Sequence, residues 1–291
     1  MMLRRKRYLF LAIFLVGIII FVSGPKVVAP AVSRMLTNLA ASRGVGIALD
    51  DLHLGLGLSA DSVRLWTRKV PTVELHNFSI KPSFSDLLRG QPSFRSHAEY
   101  LKGVIDLAVV RNGSDAMNLS GSLLGLILSE HQVLSTLPVT GGAFDLKVDS
   151  LMVSGSELSG IASFAMKPLE LTNPVTLPTF LTGLPIPLEI PSFKLNSTSS
   201  SISIQKNRLS LTDVALDSDL LSFKGQLSTV LPNFTAIGGQ GCLRLTDRGV
   251  EKIGAFMPFI GGGSSTEPQT IQFSGSRLNR AKITATAGCD G

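Results

Sequence analysis

Leu52-His53-Leu54-Gly55-Leu56-Gly57-Leu58 decides the fold. Leucine at every second position, with histidine or glycine between, has the period of a strand and not of a helix. Such a strand presents one apolar face and one polar or bare face, the pattern of an antiparallel sheet with a single buried side. Val63 and Leu65 follow what reads as a polar turn, Ser59-Ala60-Asp61-Ser62, and Val73, Leu75 and Ile80 continue the alternation. Farther on it returns at Ile105, Leu107 and Val109; at Phe144, Leu146 and Val148; at Ile202 and Ile204; at Leu209 and Leu211; at Leu243 and Leu245; and at Ile271 and Phe273. Asn-Gly, Ser-Gly, Lys-Asn-Arg and Gly-Gly punctuation between these runs predicts a long antiparallel meander, mainly β. The residues expected to line an apolar groove on it are Leu52, Leu54, Leu56, Leu58, Ile105, Leu107, Phe144, Leu146, Leu209 and Leu211.

Upstream of the leucines the period is helical. Val28, Val32, Met35, Leu36, Leu39 and Ala40 recur at three- and four-residue spacing and stop at Gly44, which predicts a helix over 25–44. Before it stand Arg4, Arg5, Lys6 and Arg7, then the uninterrupted apolar run Tyr8 to Val22, ended by Ser23-Gly24-Pro25. A basic cluster beside an apolar helix stays in the cytoplasm and sends the rest of the chain across the bilayer. The expected organisation is a cytoplasmic segment 1–7, a single transmembrane signal anchor 8–24, the juxtamembrane helix, and a periplasmic β domain 45–291 on the inner membrane. A cleaved signal peptide competes with this, because the run is short for a span. Val22-Ser23-Gly24 and Val27-Val28-Ala29 resemble cleavage sites, but Pro25 and Pro30 follow them directly, where proline obstructs a peptidase.

Short helices are expected at Ser83–Gly90, with near capping-box spacing, at Ser129–Leu137 and at Asp247–Met257. Between Pro168 and Pro191 six prolines exclude a central strand or a regular helix. That stretch is either a link between two lobes, split near 168–191, or an apolar lip on one continuous sheet.

Composition limits the function. The chain of 291 residues has a formal net charge of +6, but five Lys/Arg and no acid fall within residues 1–30. The remainder carries 22 basic against 21 acidic residues, so it lacks the basic face that nucleic-acid binding requires. Charged residues are only 16% of the chain and mean hydropathy is +0.31. Either the core is large, or apolar surface is set aside for lipid, partner or membrane.

Nothing in the sequence assembles catalytic chemistry. His53, His76, His97 and His131 have no metal-binding spacing, and His53 and His76 fall on the polar phase of strands. Gly121-Ser122-Leu123-Leu124-Gly125 has its serine one place from a nucleophile elbow. Gly238-Gly239-Gln240-Gly241 and Gly261-Gly262-Gly263 lack the residues of a phosphate cradle. The expectation is a non-enzymatic protein with no cofactor and no metal. The two cysteines, Cys242 and Cys289, are either a disulfide, if the strands carrying them are neighbours, or two free thiols.

Four strings, taken in order, carry a family likeness: Val45-Gly46-Ile47-Ala48-Leu49-Asp50-Asp51-Leu52, Ala60-Asp61-Ser62-Val63-Arg64-Leu65, Ile80-Lys81-Pro82-Ser83-Phe84-Ser85-Asp86-Leu87-Leu88-Arg89-Gly90 and Leu101-Lys102-Gly103-Val104-Ile105-Asp106-Leu107. Behind an anchor and a helix, this order resembles AsmA-like periplasmic proteins. Leu245-Thr246-Asp247-Arg248-Gly249-Val250 and the closing Phe273-Ser274-Gly275-Ser276-Arg277-Leu278 make it similar to the protein N group of type II secretion (the general secretion pathway). Arg280 stands where that group usually has proline. The resemblance implies a curved antiparallel sheet, open like a shell, with an apolar concave face. It also implies an accessory role in type II secretion with components of that machinery as partners, or a lipid-binding or lipid-transfer role with phospholipid as ligand.

Overall fold

The computed structural model describes residues 25–42, 44–67, 72–88, 91–112, 116–131, 138–177, 188–231, 235–260, 262–263, 265–277 and 282–289. Arg4 to Arg7 and the run Tyr8–Val22 lie outside these residues. Among the described residues no helix is long and apolar enough to cross a membrane. The chain is mainly β and forms two compact units, residues 1–100 and 101–291. The division between the two units falls at Tyr100/Leu101.

In the first unit, α1 (Pro25–Ser42) ends at Gly44, whose φ of +75° reverses the chain. β1 (Val45–Asp50) runs back along the helix and pairs with β3 (Leu58–Thr67), which pairs in turn with β4 (Val73–Pro82), and β4 with β5 (Ser93–Tyr100). The leucine stretch is not one strand. β2 is only His53–Leu54, and Leu54 stands directly opposite Leu58 across a tight bend at Gly55–Gly57. Alternating leucines separated by single glycines satisfy the strand period and still fold into a hairpin, because glycine lets the backbone turn. The predicted turn at Ser59–Ser62 is instead interior to β3. Ala60 and Val63 are both buried although three residues apart, and Asn77 on the neighbouring strand has a φ of +50°. Both strands thus slip phase by one residue at one level, which sequence alone reads as a break.

The second unit is one antiparallel sheet. Its neighbours are β6 (Gly103–Asn112), β7 (Ala116–Ile127), β9 (Ala143–Ser154), β10 (Glu157–Met166), β14 (Phe193–Gln205), β15 (Arg208–Ser218), β16 (Leu221–Val230), β17 (Thr235–Leu245), β18 (Gln269–Arg277) and β19 (Lys282–Ala287). Short β8 (Val139–Gly141) and β11 (Leu169–Leu171) extend it beside β14. β12 (Val175–Leu177) and β13 (Leu188–Ile190) pair only with each other. Beside the prolines of 168–191 that the structure describes, the strands are three residues long, with Pro168 and Pro174 just before β11 and β12 and Pro191 just after β13, so no proline nitrogen falls within a ladder.

Asp213 (φ +52°), Gly125 (φ +69°) and Ala236 (φ +52°) sit at register shifts of this sheet. Each is a bulge, where an extra residue bends the strand. The two-residue turn at Lys206-Asn207, both with positive φ, is the kind whose twist matches a hairpin. Asn207 Oδ1 also accepts from the Leu158 backbone N–H at 2.7 Å, tying this turn to β10. Where a helix was expected over 129–137, Leu128–Glu130 is a single 3₁₀ turn, and 132–137 lie outside the described residues.

Helix α2 (Phe84–Leu88) closes the β4–β5 connection. Helix α3 (Asp247–Ile253), followed by a 3₁₀ segment Gly254–Ile260, packs on the last strands of the second unit. There Leu245, Met257, Ile271 and Ala285 form a buried cluster bordered by Phe223, Val250, Ile253 and Phe273.

Candidate functional site

Register fixes which side chains share a face. Crossing the second unit from β6 to β19, the residues directly opposite one another are Leu107, Gly121, Val148, Ala162, Ile202, Leu211, Leu227, Gly239, Phe273 and Ile283. Ten strands contribute one residue each, and none is polar. One residue along, on the other face, the row reads Asp106, Ser122, Lys147, Ser163, Ser201 and Thr212. The two sides of one sheet therefore differ in kind, as period-two alternation demands.

The bulges preserve this division. On β15, Leu209 and Leu211 face the apolar side; Asp213 absorbs one extra residue, and Val214 and Leu216 resume on that side, opposite Gly225 and Phe223. On β7, Leu119, Gly121 and Leu123 are followed by Gly125, and the series resumes at Leu126, opposite Phe144. Gly125 suits its place: its φ is open only to glycine at low cost, and its N–H donates to Asp145 Oδ1 at 2.6 Å.

Among the described residues of this unit, α3 and the segment after it cover one end of the apolar face. Away from that cluster Ile105, Leu107, Leu119, Phe144, Leu146, Ile202, Leu209, Leu211 and Leu227 are half-buried, whereas the inner face of a sandwich would be fully buried. Among the described residues of this unit the other sheet is the two-stranded β12–β13. Phe144 and Phe164 stack across β9 and β10 at 6.1 Å, and Phe223 meets Phe273 edge-on at 6.1 Å. Glycine is required beneath Phe223: a Cβ at Gly241 would lie 2.4 Å from its ring, so the ring lies flat along the sheet.

Of the ten residues expected to line a groove, Ile105, Leu107, Phe144, Leu146, Leu209 and Leu211 fall on this one face. The other four belong to the first unit. Leu52 lies between strands, Leu54 and Leu58 pair across the hairpin, and Leu56, at its tip, is 75% exposed. The turn takes Leu56 out of the strand alternation. Strand β10 was missed in the sequence: Ile161 lies on the polar face, 57% exposed, while Gly160 and Ala162 stand between Leu158 and Phe164 on the apolar one, so the alternation is broken at its middle.

A hollow of about 770 Å³ opens on the polar face beside Asp213, lined by Lys224, Gln226 and Gln240 among others. At its edge Cys242 and Cys289 are joined in a disulfide, with Cα atoms 5.6 Å apart. Their strands are not neighbours as the sequence argument required, since β18 lies between β17 and β19. Cys289 reaches across because the chain after β19 folds back along β18, with Thr270 N–H donating to Gly288 O at 2.8 Å and Gly288 N–H to Pro268 O at 3.0 Å.

Among the described residues no group of three or more His, Cys, Asp or Glu is placed to hold a metal ion. His53 and His76 are exposed. Burial pushes the Tyr100 phenol above its ordinary value, and on α3 a hydrogen bond from Lys252 holds the exposed Glu251 carboxyl low. Neither group lies in the ten-residue row. No family model, curated protein or solved structure matches this chain.

Proposed function

We propose that the protein is a non-enzymatic, inner-membrane-anchored envelope protein whose periplasmic sheet holds phospholipid acyl chains along its apolar face. The observation that carries this reading is the ten-residue row, apolar on every strand and half-buried over most of its length. A face of that extent left to water is unfavourable by about 25 cal/mol for each Å² of apolar surface, and acyl chains remove that cost without needing a specific polar partner. Curvature from the bulges, which would make the face concave, belongs to the same proposal, as does movement of lipid along it. The resemblance to AsmA-like proteins points the same way.

Residues 25–291, purified without detergent, are expected to carry phospholipid detectable by native mass spectrometry and in an organic extract. Lipid-free, monodisperse protein would sink the reading. Leu146→Asp and Leu211→Asp, each placing a carboxylate in the face, should lower the lipid-to-protein ratio several-fold while leaving the strand signal in circular dichroism.

A second reading, an accessory role in type II secretion, is favoured by the string Leu245–Val250. Thr246 caps α3, its Oγ1 accepting from the Gly249 N–H at 3.0 Å and donating to Asp219 O at 2.7 Å. The string is thus a built element of the fold, a cap and the first turn of a helix. Unchanged exoprotein export in a deletion strain, under conditions that require the system, would remove this reading.

A further inference from the structure

The first unit has an end at which several elements converge. β1 returns antiparallel to α1, so its last residues reach the first turns of the helix. Ala29, Pro30 and Ser33 line a hollow of about 410 Å³ with Leu49, Asp51, Leu52 and His53. The β2–β3 hairpin continues past that level, and α2 starts just after β4, whose Ile80 is opposite Leu58. A second hollow, of about 390 Å³, is lined by His53 to Ser59 with Lys81, Pro82 and Phe84. His53 belongs to both hollows, which places the hairpin tip and α2 at the end where the chain enters α1. From Ala29 the helix extends four residues toward Pro25, about 6 Å. From His53 the hairpin extends a comparable distance, about 7–10 Å.

That end is unusually apolar for an exposed surface. Leu56 is 75%, Phe84 56% and Leu88 90% exposed. Beside them Lys81 and Arg95 stand directly opposite each other on β4 and β5, both exposed. Like charges at facing positions repel unless an anion lies between or above them. The nearby Asp86 carboxylate is turned to the Ser93 hydroxyl, which donates to it at 2.5 Å. In the sequence, two residues separate Pro25 from the apolar run Tyr8–Val22.

We propose that Leu56, Phe84 and Leu88, with Lys81 and Arg95, form a bilayer-contact surface: the apolar side chains enter the upper acyl layer of the membrane and the cations meet anionic lipid phosphates. The proposal rests on the reading of Tyr8–Val22 as a membrane anchor, which brings this end to the bilayer. It adds that the first unit lies down on the membrane and does not hang from a tether. Amphipathic surfaces of this kind bind through apolar burial and attraction to anionic headgroups together.

Trp66 supplies an internal reference. It is the single tryptophan of the chain, lies toward the opposite end of β3, opposite Gly46, and is 43% exposed. Full-length protein in nanodiscs of phosphatidylethanolamine and phosphatidylglycerol, with a shallow doxyl-labelled lipid, reads depth by fluorescence quenching. Tryptophan introduced as Leu56→Trp or Phe84→Trp, in a Trp66→Phe background, should be quenched at least twofold more than native Trp66. Equal or weaker quenching in a chain that resists alkaline extraction overturns the contact and leaves the anchor standing. A chain released from the membrane by alkali fails the anchor reading, and the contact with it.

Discussion

Gly249 packs so closely that a Cβ there would lie 1.8 Å from the Leu220 carbonyl oxygen. The contact involves backbone on both sides, and neither can give without moving α3 or the Asp219-Leu220 bend. Gly249→Ala should cost about 1–3 kcal/mol, the usual range for overpacking, and chemical denaturation would measure it. Thr246→Ala removes the cap and leaves the same helix start without its acceptor, a loss of about 1 kcal/mol, whereas Thr246→Ser should restore most of it. Arg248 fixes the other side of this turn, its guanidinium pairing with Asp219 and donating to Ser192 O at 3.0 Å. Asp213 shows the converse case. Its positive φ is unfavourable for most side chains, so Asp213→Gly should be neutral or slightly stabilising and Asp213→Val destabilising.

At the scale of the element, the last strands are held twice, from the apolar side by Met257 and its neighbours and from the polar side by the disulfide. A bridge with a sequence separation of 47 residues typically stabilises by about 2–4 kcal/mol. Cys242→Ser with Cys289→Ser should therefore lower the melting temperature by about 5–15 °C, and expose the amides of β18 and β19 to hydrogen exchange before those of β15 and β16. Met257→Ala, by opening a cavity in the same cluster, should cost about 2–5 kcal/mol. These elements were unequally legible. α1, α2 and α3 could be read from caps and spacing, and most long strands from alternation. The hairpin at Gly55–Gly57 could not, because glycine between leucines serves an extended strand and a reversal equally. β10 was hidden because the middle of its apolar side is held by Gly160 and Ala162 while Ile161 between them points to the polar side, which breaks the alternation of Leu158 with Phe164. The disulfide was legible as a pair but not as a geometry, since nothing local shows a tail crossing over a strand.

For the whole molecule, the charge distribution makes the topology testable. On the proposed topology, with Arg4 to Arg7 in the cytoplasm, a reporter active only in the periplasm and fused after Gly291 should be active, and a cytoplasmic one silent. Replacing all four cations with Asp or Glu should abolish that orientation bias. The candidate site was legible in part. Six residues expected to line an apolar face do share one, but sequence gave no sign that the face runs unbroken over ten strands. That property comes from register, which depends on turn lengths and bulges that pattern alone does not report.

The bulges also sort the chain's possible length changes into two kinds. Removing Asp213 would leave a regular strand in which Leu211 and Val214 still point to the same side, so the division of faces would survive and only the bend would go. Removing Ser210, three positions earlier, would turn every residue on one side of the gap to the wrong face. Descendants of this sequence can therefore gain or lose single residues at such points and stay recognisable to whatever touches the sheet. Elsewhere along its strands, length is as constrained as the identity of any core residue.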